Sequence, residues 1–132
     1  MDHLKTVLVL DTSKTFLEDF NSLMSGSFSV LLAQTDQEAQ NLLNRRKVDV
    51  MFLDLMPGGE RTSLDILVKV KEVFPDLPVI VLTAHADVET AVKAIKLGAF
   101  NYMSKSLKIE ELKTTVEKAL AERTLKRDYQ IL

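Results

Sequence analysis

The chain has 132 residues, 46% of them hydrophobic and 27% charged, the size and make-up of one ordinary globular domain with a core of its own. It has no cysteine, which excludes disulfides and thiolate metal sites and fits a reducing compartment. Its 17 basic and 19 acidic side chains give no global grip on nucleic acid, and no apolar run approaches the ~20 residues of a membrane span.

Met1-Asp2-His3-Leu4-Lys5 has neither the basic start nor the apolar segment of a signal peptide, so the chain is expected in the cytoplasm. Thr6 to Leu10 is a β-branched and leucine run, read as a strand, that ends on Asp11. Ser13 is placed to cap a helix reaching about Met24, with Phe16, Leu17, Phe20, Leu23 and Met24 at helical spacing. Phe28 to Ala33 reads as the second strand, and Thr35-Asp36-Gln37-Glu38 has the form of a capping box that opens a second helix. Val48 to Leu53 is nearly all apolar and stops on Asp54, after which Leu55-Met56-Pro57-Gly58-Gly59 turns the chain away. Such a run suits a strand buried on both faces, with Asp49 at its start expected to face solvent. Ser63 begins a third helix that carries Leu64, Leu67, Val68 and Val70 and stops at Pro75. Pro78 to Thr83 is the fourth strand, its proline allowed at the first position. A helix from about Ala86 to Leu97 carries Val88, Val92 and Ile95 and stops at Gly98, and Phe100 to Met103 is the fifth strand. The last helix opens near Leu107 and runs past Arg123.

Five alternating β-α units predict an α/β fold, a five-stranded parallel sheet with right-handed crossovers and helices on both faces. The leading topology is the doubly wound, flavodoxin-like order 2-1-3-4-5. In that order Asp11 and Asp54 meet at one rim, with Thr83 and Lys105 flanking them from strands four and five. Two neighbouring carboxylates repel unless a cation neutralises them. A hard ion such as Mg²⁺ takes one or two carboxylates together with phosphate oxygens and water. A carboxylate can also attack phosphorus, and the aspartyl-phosphate then needs a cation and hydrogen-bond donors around it. Asp11, Asp54, Lys105 and Thr83 are residue types able to supply that set.

Nearly the whole chain resembles the receiver domains of bacterial two-component response regulators. The likeness rests on VLVLD at 7–11, VDVMFLD at 48–54, PVIVLTA at 78–84 and GAFNYMSK at 98–105, four motifs in order at the family's spacing. The resemblance implies that Asp54 is a phosphoacceptor served by a sensor histidine kinase. It implies an Mg²⁺ site at Asp11, Asp54 and the backbone carbonyl of Met56, a switch hydroxyl at Thr83, a phosphate-binding lysine at Lys105 and an aromatic switch at Tyr102. It also implies a face made by the fourth helix, fifth strand and fifth helix that partners read, and a signalling switch rather than an enzyme.

Departures from the family pattern bear on competence. Thr12 stands where a second acidic residue is usual, so Mg²⁺ is expected to bind more weakly. Ser106 replaces a proline joined by a cis bond; a non-proline cis bond costs ~2.5–4 kcal/mol, so a trans bond and a shifted Lys105 are expected. Pro57 comes one residue early, and Gly59-Glu60-Arg61-Thr62 looks like an insertion. Met56 and His85 hold positions that border the attacking water in receivers. An apolar Met56 cannot orient that water, so slow self-dephosphorylation is expected.

Ile109, Leu112, Val116, Ala119 and Leu120 mark the sheet-facing side of the last helix. Ala121, Leu125, Tyr129 and Leu132 form a second stripe about half a turn out of phase. A stripe that points away from its own core calls for a helix partner, either in a homodimer or in a linker to an output domain. A receiver domain over 1–121 and an extension of the last helix over 122–132 are therefore expected. This end of the chain resembles the junction in NtrC-type enhancer-binding regulators, which implies a transcriptional output partner or domain. The competing reading is a phosphorylation-independent pseudo-receiver, an interaction module favoured by Thr12 and Ser106. A flavodoxin-type carrier fits less well, because Asp11-Thr12-Ser13-Lys14-Thr15 has no glycine and the chain has no tryptophan to stack a flavin. Direct contact with nucleic acid or membrane is not expected.

Overall fold

A computed structural model describes residues 4–55 and 60–131 of the chain, apart from the side chains of 60–62 and 126–131. The elements alternate as β1 (Thr6–Leu10), α1 (Lys14–Met24), β2 (Ser29–Ala33), α2 (Asp36–Arg45), β3 (Val50–Leu55), α3 (Glu60–Val73), β4 (Val79–Thr83), α4 (Val88–Lys96), β5 (Asn101–Ser104) and α5 (Ile109–Ile131). The strands form one parallel sheet in the order β2-β1-β3-β4-β5, the expected flavodoxin-like topology. Among the described residues, no helix is long and apolar enough to cross a membrane.

Alternation along the strands splits the core in two. Val7, Val9, Val50, Phe52, Ile80 and Leu82 meet Leu17, Phe20 and Met24 of α1 and Leu112, Val116 and Ala119 of α5. Leu8, Leu10, Met51, Leu53, Leu55, Val79 and Val81 meet the other layer, through Leu43 of α2, Leu67 and Val70 of α3 and Ala94 of α4. Every residue of β3 and β4 is buried, as a central parallel strand covered on both faces requires.

Caps set most helix starts. Ser13 Oγ accepts from Phe16 N, and Thr35 Oγ1 accepts from Glu38 N. The Glu38 carboxylate reaches back to Gln34 N, one residue ahead of the cap. Asp87 accepts from Thr90 N, so α4 starts at Val88 rather than near Ala86. Gly98 ends that helix at φ +108, a conformation that side chains rarely adopt.

Two boundaries differ from expectation for reasons that reach the site. β3 runs two residues past the end of the apolar run, because its ladder with β4 continues through Asp54↔Leu82 and Leu55↔Thr83. Asp54 is thus held inside a strand. α3 begins at Glu60, so Ser63 lies within the helix, and its hydroxyl donates to the Asp54 carbonyl at 3.0 Å.

Asp49 corrects the expectation of a solvent-facing residue, being only 8% exposed. Its Oδ2 accepts from Thr6 N at 2.8 Å, and Asp49 N donates to the Thr6 carbonyl. The β1–β3 ladder starts only at Val7↔Val50, so the Thr6 N–H needs an acceptor that the Asp49 side chain provides. Arg123 Nη1 lies 3.7 Å from Asp49 Oδ1 and donates to the carbonyls of Val48 and Asp49. α5 is therefore tied to the sheet as far as Arg123.

Beyond or beside that tie, Ala121 and Leu125 are exposed. Tyr129 and Leu132, the rest of the second stripe, lie outside the described side chains. α4 buries little apart from Thr90 and Ala94, and leaves Val88, Val92, Ile95 and the adjoining Leu97 exposed.

Candidate functional site

The carboxyl ends of β1, β3 and β5 converge through strand parity. Asp11 follows Val9, Asp54 follows Phe52 and Lys105 follows Met103 at spacings of two, so all three continue the face toward α1 and α5. By the same alternation Thr83 continues the face of Val81, and Tyr102, in register with Val81, packs on that side. The sheet thus gathers Asp11, Asp54 and Lys105, and sets Thr83 and Tyr102 on the opposite layer.

Lys105 Nζ lies 2.6 Å from Asp11 Oδ2 and 3.0 Å from Asp54 Oδ1, and both carboxylates are buried. Asp11 Oδ1 accepts from Ser13 N at 2.8 Å. Asp11 Oδ2 has no hydrogen bond of good geometry among the described residues, so the Lys105 charge is its compensation. Burial pushes the Asp54 carboxyl above the ordinary aspartate range; Lys105 opposes that push and the charge of Asp11 adds to it. Burial would lower the Lys105 ammonium, but the adjacent Asp11 and Asp54 carboxylates outweigh burial and hold it above the ordinary lysine range.

The backbone fixes the lysine as well, since Lys105 N donates to the Thr83 carbonyl at 2.7 Å. The Lys105–Ser106 bond is trans, and Lys105 nonetheless reaches both carboxylates. Two further residues serve the site without having been singled out for it. Ser63 holds the Asp54 carbonyl, and the Phe16 ring lies 4.4 Å from Lys105 Nζ. Helical spacing marked Phe16 only as core, and nothing local in the sequence signals its cation.

Thr83 is turned to its own loop. Its hydroxyl donates to the His85 carbonyl at 3.3 Å and accepts from His85 N at 3.1 Å, while His85 itself is exposed. The Tyr102 ring packs in the core layer of α2, α3 and α4, with a buried hydroxyl that has no hydrogen-bond partner among the described residues. Thr12 is exposed, and Met56 lies outside the described residues.

A cavity of about 160 Å³ opens beside the carboxylates, lined by Asp11, Asp54, Thr12, Gln34, Asp36 and Ile66 among others. A larger one of about 310 Å³, by Arg46, Phe74 and Arg123, carries no comparable convergence of groups. Among the described residues, no group of three or more His, Cys, Asp or Glu side chains is spaced to hold a metal. Asp11 and Asp54 are still a hard-oxygen pair of the kind that Mg²⁺ accepts while keeping several waters. Two buried carboxylates bridged by one ammonium keep an excess of negative charge, so a further cation would have to neutralise the pair before an anionic group could enter the small cavity.

Known proteins share the fold and part of the sequence. The chain is 34% identical over 116 residues to the transcriptional regulatory protein ZraR of Escherichia coli O157:H7, covering 87% of this chain and 26% of that protein. It is also 34% identical over 125 residues to the alginate biosynthesis transcriptional regulatory protein AlgB of Pseudomonas putida, covering 94% and 28%. The chain thus spans roughly a quarter of the length of the curated relatives it matches. A response regulator from Thermotoga maritima superposes with a TM-score of 0.82 at 30% identity, over 89% of this chain and 98% of that one. The beryllofluoride-activated NtrC4 receiver domain dimer gives a TM-score of 0.80 at 32% identity, over 91% and 99%. The model of the response regulator receiver domain matches residues 7–117, from β1 into α5, and to that family, a signalling domain of two-component systems, this chain belongs.

Proposed function

We propose that Asp54 accepts a phosphoryl group from a partner histidine kinase, and that the chain passes the resulting charge on as a signal. The observation that carries this reading is the Lys105 ammonium bridging buried Asp11 and Asp54. An Asp54 oxygen attacks phosphorus, forming an O–P bond as the bond from phosphorus to the kinase imidazole breaks. Lys105 then turns to the new phosphoryl oxygens, keeping its hold on the Thr83 carbonyl through its backbone. Asp11 and Asp54 would hold Mg²⁺, with the Met56 carbonyl as the third protein ligand. That ion supplies neutralisation of charge on the phosphoryl oxygens. The exposed Thr12 adds no carboxylate, which makes for weak metal binding.

The switch on this reading is the hydroxyl of Thr83. Turning toward the phosphoryl group means leaving the His85 backbone, and Tyr102, with its unpartnered buried hydroxyl, has reason to move with it. Met56 and His85 hold sequence positions that in receivers border the attacking water, and on this reading they tune the lifetime of the phosphoryl group, with Met56 slowing its loss. The face of α4, β5 and α5 is where partners read the change. Exposed Val88, Val92 and Ile95 on α4 support an apolar docking surface there. Ala121, Leu125, Tyr129 and Leu132 serve a homodimer or an output partner, the latter transcriptional as in the named relatives, with residues 122–132 extending the receiver of residues 1–121. The compartment proposed is the cytoplasm.

A titration with beryllofluoride and Mg²⁺, followed through the amide signals of Thr83 and Lys105, tests the reading. Both signals shift if the site accepts a phosphoryl mimic. Silence at millimolar Mg²⁺ sinks it in favour of the second reading, a phosphorylation-independent interaction module, which the exposed Thr12 supports.

A further inference from the structure

Phe16 sits on the first turn of α1 with the face of its ring toward Lys105, 4.4 Å from Nζ to the centroid. An ammonium has three N–H donors. Asp11 and Asp54 lie 2.6 and 3.0 Å from Nζ, and the ring covers a further side of the cation. The electron-rich face of an aromatic ring attracts a cation, more strongly where water is excluded. The Lys105 side chain is 19% exposed, so the contact is partly shielded from water.

The local sequence holds the ring in place from two directions. Ser13 N donates to Asp11 Oδ1, and Ser13 Oγ accepts from Phe16 N, so one cap fixes both the carboxylate and the turn that carries the ring. On its inner side Phe16 meets Phe20 at 6.1 Å between centroids, and Phe20 meets Phe52 edge-on at 5.1 Å. Phe52 lies on β3, two residues before Asp54 and on the same face. An aromatic chain therefore links the strand that bears Asp54 to the ring beside Lys105. Leucine would fill a similar space without presenting a π-face.

We infer that Phe16 is a positioning residue for the phosphoryl site, one that holds the Lys105 ammonium where it can pair with oxygens added to Asp54. The inference rests on Asp54 being the phosphoacceptor. When an anionic group arrives, Lys105 exchanges a carboxylate partner for the new oxygens, and the ring confines the ammonium during and after that exchange. Confinement in advance reduces the ordering needed on binding. Phe16 itself makes and breaks no bond.

The test compares the wild-type chain with Phe16→Leu, Phe16→Tyr and a chain carrying a trifluorinated phenylalanine at position 16. Fluorination keeps the shape of the ring while withdrawing electron density from its face. The probe is beryllofluoride at fixed Mg²⁺, read by the Lys105 and Thr83 amides. Half-saturation rises about three- to tenfold with leucine and with the fluorinated ring, the range set by a partly desolvated cation–π contact, and stays near wild type with tyrosine. In metal-free protein the Lys105 ε-protons carry an upfield ring-current shift in wild type and Phe16→Tyr, and lose it in Phe16→Leu. The fluorinated chain keeps the wild-type circular dichroism spectrum, and its melting temperature falls slightly, as loss of a native cation–π contact requires. Equal half-saturation in wild type and the fluorinated chain overturns the inference, as does a wild-type Lys105 without the ring-current shift. If the shift is present but wild type ignores beryllofluoride, the phosphoacceptor reading itself fails, and the role given to Phe16 falls with it.

Discussion

Replacing Asp49 with alanine removes the acceptor of Thr6 N and a counter-ion of Arg123 in one step. The Thr6 bond is short at 2.8 Å and joins a backbone donor to a carboxylate that is 8% exposed. A hydrogen bond to a charged group contributes about 1.5–3 kcal/mol. The Arg123 contact is longer at 3.7 Å, and Arg123 keeps the carbonyls of Val48 and Asp49, so its share is smaller, about 0.5–1 kcal/mol. Asp49→Ala should therefore lose about 2–4 kcal/mol, which lowers Tm by about 6–16 °C in a domain of this size. Asp49→Asn keeps an acceptor oxygen and should lose about half as much. Urea unfolding followed by circular dichroism, with Arg123→Ala and the double variant completing a cycle, measures both parts. A loss below about 0.5 kcal/mol for Asp49→Ala would be surface behaviour and would refute the buried clasp.

Gly98→Ala should destabilise by about 1–3 kcal/mol, because φ is +108 and the new Cβ would lie 3.2 Å from Lys71 Cγ. Lys71→Ala alone gives up bonds to the Pro75 and Leu77 carbonyls, so the Gly98→Ala step is measured again in that background, where it should cost less by its steric part. In metal-free protein, Asp54→Asn should gain stability over wild type as pH rises. Burial raises the native Asp54 pKa above its unfolded value, so the native state is favoured while the carboxyl keeps its proton, and that advantage is lost as pH climbs through the raised value. Melting temperatures of the two chains should converge at acid pH and separate toward neutrality, and a constant gap would count against the assignment. Thr12→Asp should tighten Mg²⁺ binding by about three- to tenfold in a calorimetric titration, since one more carboxylate joins the site at an exposed, screened position.

Features written locally in the chain were legible. Short apolar runs between turn signals placed all five strands, and the caps at Ser13 and Thr35 and the stop at Gly98 fall where their chemistry puts them. The βα repeat made the flavodoxin-like strand order the leading topology, and that order places Asp11 beside Asp54 with Lys105 flanking them. Features set by distant partners were not legible. Asp49 looked solvent-facing because the group that covers it, Arg123, returns from 74 residues away in sequence. Phe16 had the spacing of a core residue, and only the packed β5 end brings Lys105 over its ring. Ser63 looked like a helix start because the Pro-Gly stretch hid the earlier turn of α3. The apolar stripe of α4 was visible as a stripe, but periodicity alone does not say whether it faces core or water, and Val88 at 80% exposure faces water.

The central claim, that Asp54 receives the phosphoryl group, is tested most directly by chemical trapping. The full chain is incubated with a small acyl-phosphate donor and Mg²⁺, reduced with borohydride, and digested for peptide mass spectrometry. Reduction of an aspartyl-phosphate leaves homoserine. The predicted result is homoserine at position 54 in wild type, none in Asp54→Asn, and far less in Lys105→Ala. An unmodified Asp54 in wild-type protein, or homoserine at position 11 in its place, would contradict the account.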